Sequence, residues 1–226
     1  NLYIADEVNN RIRKIDAVTG IITTIAGNGS QIFSGDNGPA LTAGITLPNS
    51  ITADVSGNLY ITEFAPTVTS RVRKINGTTG IITTIAGNNN YAFSGDGGPA
   101  VNAELLNPVS VALDPAGNLY ISELGDSRIR MITASTGIIN TIAGSGVNGF
   151  GGDGGPALLG TMNYPNQVVR DNNGDLYIAD NFNNRIRKVG SAAAPPPVLP
   201  TTINISASTT SSCEGSPVTF TAVAVN

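Results

Sequence analysis

Eleven of the twelve lysines and arginines in this sequence fall in one recurring pattern, Arg-x-Arg-Lys. The copies are Arg11, Arg13 and Lys14; Arg71, Arg73 and Lys74; Arg128 and Arg130; and Arg185, Arg187 and Lys188. Arg170 is the exception, and Met131 stands where the third copy would carry Lys. Each run follows a carboxylate that closes the preceding apolar run: Asp6, Glu63, Glu123 or Asp180. Two chemistries suit such a set. One is a basic surface for RNA. The other is ion pairing within the chain, with Asp6 and Arg11 bracketing a hairpin turn and pairing across strands for about 0.2–1 kcal/mol. The net charge of −4, with no basic cluster outside the repeat, favours pairing and argues against nucleic acid.

The four carboxylates could instead ring a divalent ion or a sugar, since hard cations take oxygen ligands. Their presence in every copy points to a structural role. Asp171-Asn-Asn-Gly-Asp175 imitates part of a calcium loop, but Asp54-Val-Ser-Gly-Asn58 and Asp114-Pro-Ala-Gly-Asn118 lack the ligands. All three read as Gly-containing hairpin turns. The Gly-rich segments Ser34–Ala40, Ser94–Ala100 and Gly151–Ala157 carry no Lys and precede no long helix, which excludes a phosphate cradle. The Asp of each is expected to order its own tight loop. Phe33, Phe93 and Phe150 precede these loops at one fixed position and are expected to plug the space between repeats. The sequence has no His, the commonest general base. Its one cysteine, Cys213, cannot close an intrachain disulfide within these residues. No catalytic residue, metal ligand or cofactor is assigned, and the sequence leans away from an enzyme without deciding the matter.

The elements that carry these residues repeat. The basic run belongs to a hairpin that starts at residues 1, 58, 118 and 175, with an apolar Leu-Tyr-Ile strand, a polar turn and the Arg-x-Arg strand. A Gly and a β-branched run follow, Ile21–Ala26, Ile81–Ala86 and Ile138–Ala143. After each Gly-rich loop, Pro48, Pro108 or Pro165 opens a further strand. Helical periodicity is nearly absent; Pro39–Ala43 and its copies predict at most one helical turn. Four antiparallel strands per period, with apolar residues on both faces of the second, suit a sheet packed between two others. The predicted fold is all-β, a β-propeller of four-stranded antiparallel blades. Three strands, two full blades and three more strands make fourteen, a partial propeller. The chain begins with Asn inside a repeat and stops inside a strand-like run, so it is expected to be a piece of a longer protein.

At 226 residues and 40% hydrophobic content the chain can bury a core. No window approaches the ~18 consecutive apolar residues of a membrane span. The 27 Gly and 13 Pro recur at fixed repeat positions and so mark turns. Residues 191–200, Ser-Ala-Ala-Ala-Pro-Pro-Pro-Val-Leu-Pro, break the pattern and predict an extended linker. Residues 201–226 then alternate around Cys213-Glu-Gly-Ser-Pro217, with Val218, Phe220 and Ala222 forming the inward set of a half-buried strand.

Asn-Leu-Tyr-Ile-Ala-Asp followed by Asn-Asn-Arg-Ile-Arg-Lys resembles the NHL repeat. The Thr-Ile-Ala-Gly, Gly-Asp-Gly-Gly-Pro-Ala and Leu-x-x-Pro elements match its long bacterial form across residues 1–190. The resemblance implies a closed propeller, most often of about six blades. Some NHL propellers bind RNA, and related propeller lactonases hold a divalent ion with Glu, Asn and Asp. Residues 201–226 resemble the opening of the Ig-like or PKD-like modules of secreted bacterial surface proteins, a truncated β-sandwich in which a Cys near position 213 often pairs with a later one. The implied protein is extracellular or on a bacterial cell surface. Residues shared by every blade serve the blade, so function is expected where the copies differ: at 28–32, 88–92 and 145–149, after each Pro, and in the three-residue insertion at 64–70. Phe64, Pro66 and Val68 are the candidate binding residues, on a loop expected to project from the rim. The expected function is non-enzymatic binding of protein or glycan. The alternative is a metal-dependent hydrolase or lyase whose site lies partly outside these residues, and RNA binding is a more distant one.

Overall fold

The computed structural model describes residues 1–65, 69–190, 203–207 and 220–224. The chain divides into two compact units, Asn1–Ala193 and Ala194–Asn226. The first is all-β and consists of four antiparallel blades in a propeller arrangement. Blade 1 contains β1 (Leu2–Asp6), β2 (Arg11–Ile15) and β3 (Ile22–Ala26). Blade 2 contains β4 (Gly38–Pro39), β5 (Pro48–Ala53), β6 (Leu59–Ala65), β7 (Thr69–Ile75) and β8 (Ile81–Ala86). Blade 3 repeats that pattern with β9 (Gly98–Pro99), β10 (Pro108–Leu113), β11 (Leu119–Glu123), β12 (Arg128–Ile132) and β13 (Ile138–Ala143). Blade 4 contains β14 (Pro165–Arg170), β15 (Leu176–Asp180) and β16 (Arg185–Val189). In the second unit, β17 (Ile203–Ala207) pairs antiparallel with β18 (Phe220–Ala224). The linker expected at 191–200 lies outside the described residues, as does Cys213.

The fourteen long strands of the first unit are those the repeat predicts. The two-residue strands β4 and β9 are an addition. Gly38–Pro39, in the loop that leaves blade 1, pairs with β8 at the outer edge of blade 2, and Gly98–Pro99 does the same for β13 in blade 3. These Gly-rich loops therefore fasten blade 1 to blade 2 and blade 2 to blade 3. Pro39, Pro99 and Pro156 then enter single 3-10 turns at Ala40–Thr42, Ala100–Asn102 and Ala157–Leu159, where Pro takes the cap position. Pro48, Pro108 and Pro165 each sit at a register shift in their first strand, a place where the absent N–H costs nothing. The turns Asp54–Asn58, Asp114–Asn118 and Asp171–Asp175 close alike, with the first Asp accepting from backbone N–H groups within the turn. That occupies the carboxylate of the calcium-like segment as a turn cap.

Three apolar clusters hold the first unit together, and each lies between two blades. Ile12, Ile45, Ile61 and Ile82 join blades 1 and 2. Val72, Leu105, Ile121 and Ile139 join blades 2 and 3. Ile129, Met131, Val168 and Ile178 join blades 3 and 4. Burying each such aliphatic side chain contributes about 1.5–3 kcal/mol. Met131, where the repeat expects Lys, is buried in the third cluster. An ammonium at that depth would need a partner, and a thioether does not.

The repeat also shows which faces are uncovered. Ile186 is 71% exposed, whereas its equivalents Ile12, Val72 and Ile129 are at 0%. On the opposite flank Ile22 is 47% exposed, against 0% for Ile82 and Ile139. Blades 4 and 1 thus present two complementary blade-packing faces. The chain is expected to self-associate at micromolar concentration through these faces. Ile186→Lys should shift sedimentation toward the monomer, and identical sedimentation of the two proteins would show that this face makes no such contact.

Candidate functional site

The second arginine of each basic run is the centre of a repeated polar junction. Arg73 is at 0% exposure, on β7. Its Nε and Nη2 donate to Asp36 Oδ1 at 3.1 and 2.7 Å, and its Nη1 donates to Glu63 Oε1 at 3.2 Å. The Gly44 and Ser34 carbonyls accept its remaining bonds at 3.0 and 3.1 Å. Arg130, also at 0%, repeats the set with Asp96, Glu123 and the Glu104 and Ser94 carbonyls. Arg187 does so with Asp153, Asp180 and the Thr161 and Gly151 carbonyls. Asp36, Asp96 and Asp153 all lie in the loop that arrives from the preceding blade. The Asp expected to order its own loop instead accepts from the next blade's arginine, and Asp36 Oδ2 also accepts from the Thr84 N–H at 3.2 Å.

The first arginine of each run does something else. Arg71, Arg128 and Arg185 lie over the rings of Phe33, Phe93 and Phe150 at 3.3, 3.8 and 3.9 Å, with the second arginine about 5 Å from the same ring. These phenylalanines are half-buried or exposed platforms for guanidinium groups and not plugs between blades. The expected cross-turn pair is also displaced. Asp6 and Arg11 are opposite in register, but the ion pair is with Arg13 at 3.6 Å, one step diagonally along the strand. Burial pushes the Glu63 carboxyl up, against the pull of Arg73 and Arg71, and brings Arg71 down to about 10.

These positions decide what the repeated charges can do. Glu63, Glu123 and Asp180 are each at 0% exposure and each accept from an arginine, so they form no ring open to a ligand. Arg73 and Arg130 present no cationic surface. Among the described residues no group of three His, Cys, Asp or Glu side chains could hold a metal ion. A cavity of about 320 Å³ lies beside β16, lined by Ala143, Met162, Ile178, Arg187 and the Gly152–Gly155 backbone. In blades 2 and 3 the same place holds β8 and β13, so its lining is a blade interior.

The non-repeated residues gather at the other kind of position, the end of the blades that bears the β1–β2 turn and its copies. Loops 28–32, 88–92 and 145–149 are laced to those turns by Asn10 to the Gly29 carbonyl, Arg71 to Asn89, and Arg128 to the Ser145 carbonyl. Gly87 and Gly144, at φ +94° and +93°, allow this approach, because a Cβ on either would collide with the Ser70 or Ser127 carbonyl oxygen. Val8, Ile32, Tyr91, Val147 and Phe182 are exposed there. Phe182 leans on Tyr164 with ring centroids 4.5 Å apart, a pair that among the described residues only blade 4 carries. Sequence reading passed over Phe182 because its turn looked polar. Phe64 is half-buried at the end of β6, opposite Ser70. Pro66 and Val68 lie outside the described residues. The insertion lengthens the hairpin itself, since β6 and β7 each run seven residues where their siblings run five. Of the variable residues after each Pro, Ser50 and Ser110 accept from Val111 and Val168 of the next blade, while Gln167 is exposed.

No family model matches the chain. It is 26% identical to NHL repeat-containing protein 2 of Bos taurus over 182 residues, 77% of this chain and 25% of that protein. A Bacteroides thetaiotaomicron protein of unknown function superposes with a TM-score of 0.64 at 24% identity, covering 82% of this chain and 43% of that one. An auxiliary nutrient binding protein from the same organism gives 0.58 at 20% identity, covering 83% and 44%. The chain thus spans a quarter of that relative and less than half of either solved structure. The likenesses establish the propeller fold. No helix among the described residues is long and apolar enough to cross a membrane.

The junction makes a graded prediction. Arg130→Met leaves Glu123 buried without its cation and should cost about 3–5 kcal/mol in urea unfolding. Asp96→Asn disturbs a partly exposed partner and should cost about 1 kcal/mol or less. Equal costs would show that the incoming loop, and not the buried arginine, governs the junction.

Proposed function

We propose that this protein is a non-enzymatic binding propeller, extracellular or on a bacterial cell surface, that presents the end bearing loops 28–32, 64–70, 88–92 and 145–149 to a protein or glycan. The observation that carries this reading is a division of labour. Arg73, Arg130 and Arg187 and the carboxylates that meet them are consumed at the blade junctions, while the non-repeated loops at one end expose apolar and aromatic side chains. Exposed side chains that no blade junction uses are the ones free to make a contact, and the Phe182–Tyr164 ring pair is the largest apolar body among them. The domain organisation proposed with it is a set of blades over 1–190, a Pro-rich linker over 191–200 and the start of an Ig-like module over 201–226. The antiparallel pairing of Ile203 with Ala224 through Ala207 with Phe220 fits the opening of such a module. The fold shared with a nutrient binding protein is compatible with a ligand, though it assigns none.

A glycan and protein array probed with the whole chain tests the reading. Once a ligand is found, Phe182→Ala and replacement of 64–70 by a four-residue sibling turn should each weaken binding without lowering the melting temperature by more than a few degrees, since loop-closure entropy changes slowly with length. Full binding by both variants and by Ile32→Ser would remove this end as the site. A large drop in melting temperature on shortening 64–70 would show instead that Phe64 serves the blade.

A further inference from the structure

One turn breaks the charge balance of the repeat. In blade 1, Asn9 follows the strand-end carboxylate by three residues and donates Nδ2–H to Asp6 Oδ1 at 2.8 Å. In blade 4, Asn183 donates likewise to Asp180 Oδ2 at 2.8 Å. Blade 3 carries Asp126 at this position, three residues after Glu123 in the turn. An ionised Asp has no proton to donate. Glu123 is at 0% exposure and Asp126 at 7%, and Asp126 Oδ1 is buried with no hydrogen-bond partner.

The surrounding charges do not neutralise the pair. Arg128 Nη1 reaches Asp126 Oδ2 at 3.1 Å, and Arg130 Nη1 reaches Glu123 Oε1 at 3.3 Å. Arg130 is shared with Asp96 at 2.7 Å. From the loop that precedes β10, the Leu106 N–H donates to Glu123 Oε2 at 3.0 Å, and Glu104 turns its carboxylate to Asn90. Three carboxylates therefore face two guanidinium groups in blade 3. In blade 2, Glu63 and Asp36 face Arg71 and Arg73; in blade 4, Asp180 and Asp153 face Arg185 and Arg187. One proton restores the balance in blade 3, and the buried, unpartnered Asp126 oxygen is the place where it would remove an unsolvated charge.

We propose that Glu123 and Asp126 are a carboxyl pair that holds one proton between them in the folded protein at neutral pH, which makes the blade 3 turn a proton-dependent latch on blade 4. The latch acts through the next residue. Ser127 Oγ donates to Asn148 Oδ1 at 2.6 Å and accepts from the Tyr164 N–H at 3.4 Å, so the turn carries the start of blade 4. Burial, then the neighbouring Asp126 charge, pushes Glu123 up to about 8; burial pushes Asp126 up to about 6. Because the two interact, both titration steps belong to the pair. Both folded values lie above the ordinary carboxylate range. The pair therefore contributes its full stability below about pH 4 and loses it as pH rises toward about 8. Most buried ion-paired carboxylates act in the opposite sense.

Asp126→Asn installs the residue that blades 1 and 4 use, in the whole chain. Urea unfolding from pH 5 to pH 8 should show the wild-type unfolding constant rising roughly tenfold more than that of the variant. Carbon-13 NMR of the Glu123 and Asp126 carboxyl carbons in the wild-type protein should give at least one midpoint above pH 5.5. Parallel pH dependences for the two proteins, or both midpoints below pH 5.5, would overturn the proposal.

Discussion

The structure depends on a guanidinium group buried between two carboxylates from different blades. An isolated buried arginine is prohibitive, and a single carboxylate in the interior repays little of the desolvation that it costs. Arg73 is tolerated because all of its donor groups that point inward are met, two by Asp36, one by Glu63, and the rest by the Gly44 and Ser34 carbonyls. Asp36 and those carbonyls belong to the connection that comes from blade 1. The arginine is satisfied only when the neighbouring blade is in place, so each junction links the folding of one sheet to the docking of the next. Aliphatic clusters supply the larger part of the attraction, and the arginine fixes the register at which they meet.

That dependence explains why the basic strand is repeated so faithfully and why it says little about activity. A residue that every copy needs for docking is not free to bind anything else. The departures are then the informative positions, and each has a local physical cause. Met131 replaces a lysine where the third apolar cluster closes over the strand. Phe182 and Tyr164 form a ring pair where blade 3 has Gly125 and Asn107. Asp126 replaces an asparagine and leaves a carboxylate in excess. The first stabilises a junction, the second leaves an exposed ring beside a partner ring, and the third is the basis of the proton-dependent junction proposed above.

Sequence alone settled the blade. Alternation in Leu-Tyr-Ile, β-branched Ile-Ile-Thr-Thr runs, Gly at the turns and Pro at the strand starts are short-range preferences, and a fixed period repeated them so that a propeller of four-stranded sheets fitted best. The structural role of the arginines and strand-end carboxylates was legible for the same reason, since a residue in every copy points to the blade. Tertiary structure alone decided which carboxylate each arginine takes, because Asp36 and Arg73 are 37 residues apart and meet only across a blade junction that no local pattern encodes. It also turned the Gly-Pro pairs into edge strands and set Phe33 beneath Arg71. Burial of the Glu123–Asp126 pair was invisible beforehand: a carboxylate in a turn reads as solvated until the neighbouring strands are seen to close over it, and the cost of its charge depends on that closure.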